Sequence, residues 1–198
     1  MATPRRVVLA TGNAGKLREF SALLAPLGLQ VISQSSLGIA PAEETGSTFE
    51  ANALLKARHA AHAANLPALA DDSGIEVDAL GGRPGVYSAR FAGPGASDAA
   101  NNAQLLGELA GQPAAARRAR YRCVIAFVQP GDDSAPLLAQ GTWEGSIATA
   151  AAGEGGFGYD PLFIPQGMQV TAAQLDSAAK NALSHRGQAL AALLQLMR

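Results

Sequence analysis

A β-branched run, Val7 to Leu9, breaks into Thr11-Gly12-Asn13 and is followed by Leu17, Phe20, Leu23, Leu24 and Leu27 at helical spacing. A buried strand, a tight turn and an amphipathic helix in that succession commit the N-terminus to a strand, loop, helix unit and point to the α/β class. Val31 and Ile32 supply a second strand. Ser47, with Glu50 three residues on, has the form of a capping box opening an Ala-rich helix that runs to about Ala64. Leu66 to Ala70 then lead into Asp71-Asp72-Ser73-Gly74, expected in the loop at a strand end.

Later in the chain, Tyr121, Cys123, Ile125 and Phe127 alternate with Arg122, Val124, Ala126 and Val128. Both faces are apolar in the middle, so this strand should be central and covered. A strand pair is expected about Leu137 to Thr149, and Ser184 should cap a closing helix lined by Leu190, Leu193, Leu194 and Met197. With 198 residues, 48% of them apolar, one compact domain over 1–198 is expected.

The formal net charge of -1 argues against a general nucleic-acid binder, which would be basic overall or carry a basic stripe. Any anion must be gripped locally. Arg117, Arg118, Arg120 and Arg122 read as a solvated strand edge. The single cysteine, Cys123, lies in an apolar run and reads as a buried thiol in a reducing, cytoplasmic setting. The apolar run after Arg5 and Arg6 is too short for a secretory signal. Phe20 to Ala42 is uncharged, but Pro26, Gly28, Gln30 and Ser33 to Ser36 interrupt it, so it reads as helix end, strand and loop rather than a membrane span. His59 and His62 read as a solvated helix face, and Trp143 as core.

The three lysines, Lys16, Lys56 and Lys180, each lie in or beside a segment that stands out on other grounds. A compact ammonium suits phosphate oxygens that shift during a reaction, whereas the flat fork of Arg suits a fixed partner. Thr11-Gly12-Asn13-Ala14-Gly15-Lys16 has the ingredients of a phosphate cradle: small residues, helix-start amides and one Lys. It is not the usual ATP-binding loop, because only two residues separate Gly12 from Gly15 and Leu17 follows the Lys. Glu43-Glu44 and Asp71-Asp72 are acidic pairs whose repulsion a shared Mg²⁺ would relieve, since that ion takes a few carboxylates plus substrate phosphates. Gly156-Phe157-Gly158-Tyr159-Asp160-Pro161 joins a Gly-rich loop to an aromatic ring and a carboxylate, and Lys180 with Ser184-His185-Arg186 places basic groups around a helix start. That end of a helix disfavours cations, so an anionic or electron-rich ligand is implied.

Taken in order, Thr11-Gly12-Asn13-x-x-Lys16, Glu43-Glu44-Thr45-Gly46, Phe49-x-x-Asn52-Ala53-x-x-Lys56-Ala57, Asp71-Asp72-Ser73-Gly74, Gly85-Val86-Tyr87-Ser88-Ala89-Arg90, Gly156 to Pro161 and Ser184-His185-Arg186-Gly187 resemble the inosine triphosphatase family, and within it the bacterial dITP/XTP pyrophosphatases of the Ham1 type. The resemblance runs from Val7 nearly to the C-terminus. It implies an elongated mixed β-sheet with flanking helices forming two lobes around a central substrate cleft, usually as a homodimer. It also implies Mg²⁺-dependent hydrolysis of ITP, dITP and XTP to the monophosphate and pyrophosphate. By the same resemblance Asp72 is the general base, and Glu43 and Asp72 are the metal ligands. Thr11, Gly12, Asn13, Ala14, Gly15, Lys16, Lys56 and Ser73 correspond to the substrate cradle, and Phe157, Gly158, Tyr159, Asp160, Lys180, His185 and Arg186 to the part that holds phosphate and base. The rival readings are a Maf-type pyrophosphatase acting on other modified nucleotides and a nucleotide-binding module without turnover. A substrate panel separates the first, and the paired carboxylates speak against the second.

Overall fold

The computed structural model describes residues 5–197, with the side chains of residues 133 and 134 excepted. Strand β1 (Arg5–Leu9) leads into helix α1 (Ala14–Leu24) and strand β2 (Leu29–Ser33). Helix α2 (Phe49–Ala64), strand β3 (Ala68–Val77), helix α3 (Asp98–Glu108), strand β4 (Arg118–Gln129) and strand β5 (Asp132–Ile147) follow. Strand β6 (Phe163–Pro165) and helices α4 (Ser177–Leu183) and α5 (His185–Leu196) complete the chain. Hydrogen bonding orders the strands β2-β1-β3-β4-β5-β6 in a mixed, six-stranded sheet. β1 pairs in parallel with β2 and β3, which requires the crossovers that α1 and α2 provide, while β5 and β6 are antiparallel.

The chain divides into two compact units: residues 1–72, 124–140 and 189–198, and residues 73–123 and 141–188. In the first, Val7, Val8 and Leu9 of β1 are buried with Phe20 and Leu24 of α1, Ala53, Ala57, Ala60 and Ala61 of α2, and Leu190 and Leu193 of α5. The alanines of α2 at helical spacing form the buried face of that helix. In the second unit Tyr121, Trp143, Phe163, Ile75, Leu105 and Leu162 form one core cluster. Tyr121 stands edge-on to Phe163 at 4.8 Å between ring centres, the tilted arrangement the aromatic quadrupole favours.

Four expectations change. Helix α2 is capped by Thr48, whose side chain accepts from Ala51 N, and not by Ser47. The strand pair about Leu137–Thr149 is the single strand β5, with its antiparallel partner supplied later by β6. The arginine cluster is not a strand edge, because β4 lies between β3 and β5. Arg117 is buried and donates to the carbonyls of Ile147, Leu109 and Ala148, while Arg120 pairs with Asp78 and Glu144. Finally, Asp71-Asp72-Ser73-Gly74 is not a loop but the middle of β3.

Gly74 is where the 85–90 turn packs onto this polar stretch of β3. A Cβ built there would overlap the Gly85 carbonyl oxygen and stand 2.6 Å from Ser88 Oγ, the hydroxyl that accepts from Ile75 N at 2.9 Å. Only glycine lets the 85–90 turn approach the strand this closely. Gly74→Ala is expected to lower stability by about 1–3 kcal/mol through overpacking, read as a fall in Tm with the folded CD spectrum retained.

Three smaller expectations match. Cys123 is buried, Trp143 belongs to the core, and His59 and His62 are exposed on α2, with His59 Nε2 2.8 Å from the Ala40 carbonyl. No helix among the described residues is long and apolar enough to cross a membrane.

Candidate active site

Within the first unit, β1 ends in the turn that starts α1. Thr11 Oγ1 accepts from Asn13 N at 3.1 Å, and Asn13 caps the helix by accepting from Lys16 N at 3.0 Å. The first amides of α1 therefore emerge from a braced turn with no partner inside the helix, the arrangement that receives anions. A Cβ added to Gly12 would meet nothing within 4 Å, so there is open space beside the turn.

Asp71 and Asp72 are consecutive in β3, and the pleat sends their side chains to opposite faces. Each finds its own ammonium. Lys16 Nζ lies 2.9 Å from Asp71 Oδ2, whereas Lys56 Nζ lies 2.7 Å from Asp72 Oδ1 and 2.8 Å from Glu44 Oε1. Asn52 Nδ2 donates to Asp72 Oδ2 at 3.2 Å, and Asn52 Oδ1 accepts from Gly46 N at 2.8 Å, which ties the loop carrying Glu44 to α2. The two aspartates thus do not share one cation, and it is Glu44 rather than the exposed Glu43 that reaches Lys56.

Burial pushes the Asp72 carboxyl above the ordinary carboxylate range, and the Glu44 charge adds to this against the pull of Lys56 and Lys16. Burial would lower Lys56, but the carboxylates of Asp72, Asp71 and Glu44 outweigh it and hold the ammonium above its usual value. The pair sets a carboxyl more basic than an exposed aspartate beside an ammonium. Asp72 Oδ2 accepts from Asn52 and Oδ1 from Lys56, and a carboxylate oxygen with a single donor keeps a lone pair for a water molecule or a metal ion.

The second unit gathers a different set. Asp160, Lys180, His185 and Arg186 are all buried. Asp160 Oδ2 accepts from Phe157 N at 2.9 Å and from Lys180 Nζ at 2.8 Å, and Oδ1 accepts from Tyr121 OH at 3.2 Å. The Tyr121 hydroxyl is pushed well up by burial and by the Asp160 charge, so it stays a donor. Its ring lies parallel to the His185 imidazole, 4.5 Å between centres. Lys180 Nζ and the Arg186 guanidinium stand 4.8 Å and 5.6 Å from the centre of the Phe157 ring, and Arg186 Nη2 donates to Ser73 Oγ at 3.1 Å.

Lys180 does not share the helix start with His185 and Arg186. It lies in the last turn of α4, the end that favours a cation, while Ser184 caps α5 by accepting from Gly187 N at 3.1 Å. Sequence reasoning gave Tyr121 no place in the site, gave Asn52 one only within a motif, and named Asp71 and Glu44 only as members of the acidic pairs. For Tyr121 the available signal was its inward register in β4, since a buried tyrosine hydroxyl needs a partner.

A mixed sheet with flanking helices, carrying lysine-paired carboxylates in one unit and a buried aromatic and basic set in the other, places the chain in the α/β class. The Ham1 family model matches residues 7–196, and the chain belongs to that family. It is 58% identical over 197 residues to a dITP/XTP pyrophosphatase of Ralstonia nicotianae, covering 98% of this chain and 97% of the relative. It is 54% identical over 194 residues to one of Methylococcus capsulatus, covering 98% and 96%. Among solved structures, a HAM1 protein from Coxiella burnetii superposes with a TM-score of 0.88 at 47% identity, covering 98% of each chain.

Proposed function

We propose that this chain is a nucleoside triphosphate pyrophosphohydrolase, active over residues 1–198 as one unit of function, that converts ITP, dITP and XTP to the monophosphate and pyrophosphate and so removes deaminated purines from the nucleotide pool. The observation that carries the reading is Asp72, a buried carboxylate of raised basicity held by Lys56 and Asn52. The names of the Ralstonia and Methylococcus relatives support the substrate class.

Release of pyrophosphate requires attack at the α-phosphorus, and the barrier is mostly electrostatic. Asp72 orients and deprotonates the attacking water, a contribution of about 10²- to 10⁴-fold for a positioned base. The amides of Gly12, Ala14 and Gly15, with Lys16 and Lys56, neutralise the phosphate chain. Phe157 offers a ring face to the purine. Arg186 carries only donors, so it pairs with the 6-oxo group of hypoxanthine or xanthine and meets the adenine 6-amine donor to donor.

Among the described residues no group of three His, Cys, Asp or Glu is arranged as a metal cage. The oxygen donors nonetheless fit Mg²⁺, which uses one or two carboxylates and completes its shell with waters and substrate phosphates. Glu43 and Asp72 would hold it, with Glu44 beside them, and when bound it would supply positive charge to the phosphate oxygens. By family likeness the working form is a cytoplasmic homodimer.

The test is incubation with ITP, XTP, ATP and GTP plus Mg²⁺, identifying the product by ion chromatography. Monophosphate and pyrophosphate from ITP and XTP, with ATP much slower, is the expected result. Release of orthophosphate, or equal rates on all four nucleotides, would refute the reading.

A further inference from the structure

The loop that carries Phe157 is held from α3, an element to which the chemistry above gives no task. Asp98, the first residue of α3, accepts from Gly158 N at 2.6 Å, and Asn102, one turn on, donates through Nδ2 to Gly158 O at 3.0 Å. Side chains four apart on one helix face thus grip both backbone polar groups of a single residue. Gly158 has φ +62° and Gly156 φ +74°, so the residues on either side of Phe157 occupy the left-handed region.

Neither contact is needed by α3 itself. Its N-cap is Ser97, which accepts from Ala100 N at 3.2 Å. Asn102 Oδ1 is buried with no hydrogen-bond partner among the described residues, so the amide commits its donor to Gly158 while its own acceptor goes unmet. A buried unmet acceptor is unfavourable, and such groups in native proteins call for an explanation. Around this grip Phe157 N is fixed to Asp160 Oδ2, and Tyr159 OH donates to Ser88 O at 2.8 Å. The ring of Phe157 is the part of the loop these anchors leave to face Lys180 and Arg186.

We propose that Asp98 and Asn102 are positioning residues for the purine, setting the angle of the Phe157 ring through Gly158 without touching substrate. The proposal rests on the reading of Phe157 as a base-holding residue. Asp98 supplies the larger share, because a carboxylate acceptor makes the stronger bond.

The experiment uses the full chain with Asp98→Ala, Asp98→Asn and Asn102→Ala. KM and kcat are measured for ITP, inorganic tripolyphosphate serves as a base-free competitor, and hydrogen exchange is followed at the Gly158 amide. Asp98→Ala is expected to raise KM for ITP by about tenfold with kcat nearly unchanged, as for loss of uniform binding. The tripolyphosphate inhibition constant stays at the wild-type value, and exchange at Gly158 accelerates. Asp98→Asn recovers most of the KM, since its amide oxygen still accepts from Gly158, and Asn102→Ala gives a smaller rise. Unchanged exchange at Gly158, an unchanged KM, or a loss of tripolyphosphate binding in step with ITP would each overturn the proposal. A wild-type protein inert toward ITP would instead overturn the functional reading on which it rests, and the two failures are told apart by the wild-type assay alone.

Discussion

Asp72→Asn is expected to lower kcat for ITP by about 10²- to 10⁴-fold, the usual contribution of a positioned general base, while the protein stays folded. Asparagine keeps the shape and can still accept from Lys56, but its oxygen is too weak a base to take a proton from water. Stability should move far less. A carboxyl whose folded pKa lies above its unfolded value binds more protons when folded, so its contribution to stability falls as pH rises from the ordinary carboxylate value through the raised one. Asp72 is shifted upward even with Lys56 2.7 Å away. Its ionised form therefore counts against the fold at neutral pH, but the same contact holds Lys56 above its usual value, so a neutral isostere relieves one effect and weakens the other and should leave Tm little changed. The checks are steady-state kinetics at saturating Mg²⁺ and a thermal melt. Retention of more than about a tenth of wild-type kcat would be too small a loss for a general base and would remove Asp72 from that role.

The same residue shows where sequence stops being legible. The start of the chain could be read closely, because β1 and α1 announce themselves by local periodicity and Asn13 caps the helix from within the motif. Asp71-Asp72-Ser73-Gly74 could not, since Asp, Ser and Gly are depleted in strands and read as a turn. What holds them in β3 comes from elsewhere: Lys16 from α1, Lys56 and Asn52 from α2, and the 85–90 turn against Gly74. Tertiary partners overrode local propensity there. The arginines of β4 failed for a related reason. A run of charge looks like an edge, yet Arg117 finds three carbonyl acceptors under cover and Arg120 finds carboxylates on β3 and β5. The motifs named candidate residues but not their pairings, so the reach of Glu44 past Glu43, and the hydroxyl of Tyr121 on Asp160, emerge only in three dimensions.

Asp160→Ala is expected to give the largest loss of stability of any substitution in the site. Asp160 Oδ2 pairs with Lys180 Nζ at 2.8 Å, and their side chains are only 4% and 8% exposed. Removing it leaves the Lys180 ammonium without that partner in a setting where water can do little to replace it, and breaking such a buried pair from one side costs about 3–5 kcal/mol. Tyr121 OH and Phe157 N lose their acceptor as well, each a neutral donor worth about 1–3 kcal/mol if left unsatisfied under cover. These losses will not sum, because the three donors converge on one group and can relax together. Asp160→Asn discriminates among them. Its Oδ1 can still accept from one of the neutral donors, but the countercharge is gone, so the part of the loss that persists in Asn reports the ion pair and the part recovered reports the neutral bonds. The measurement is urea unfolding of wild type and both variants, read as a shift in midpoint at constant slope. If Asp160→Ala unfolds within about 1 kcal/mol of wild type, Lys180 is served by other groups and the 2.8 Å contact contributes little to the fold.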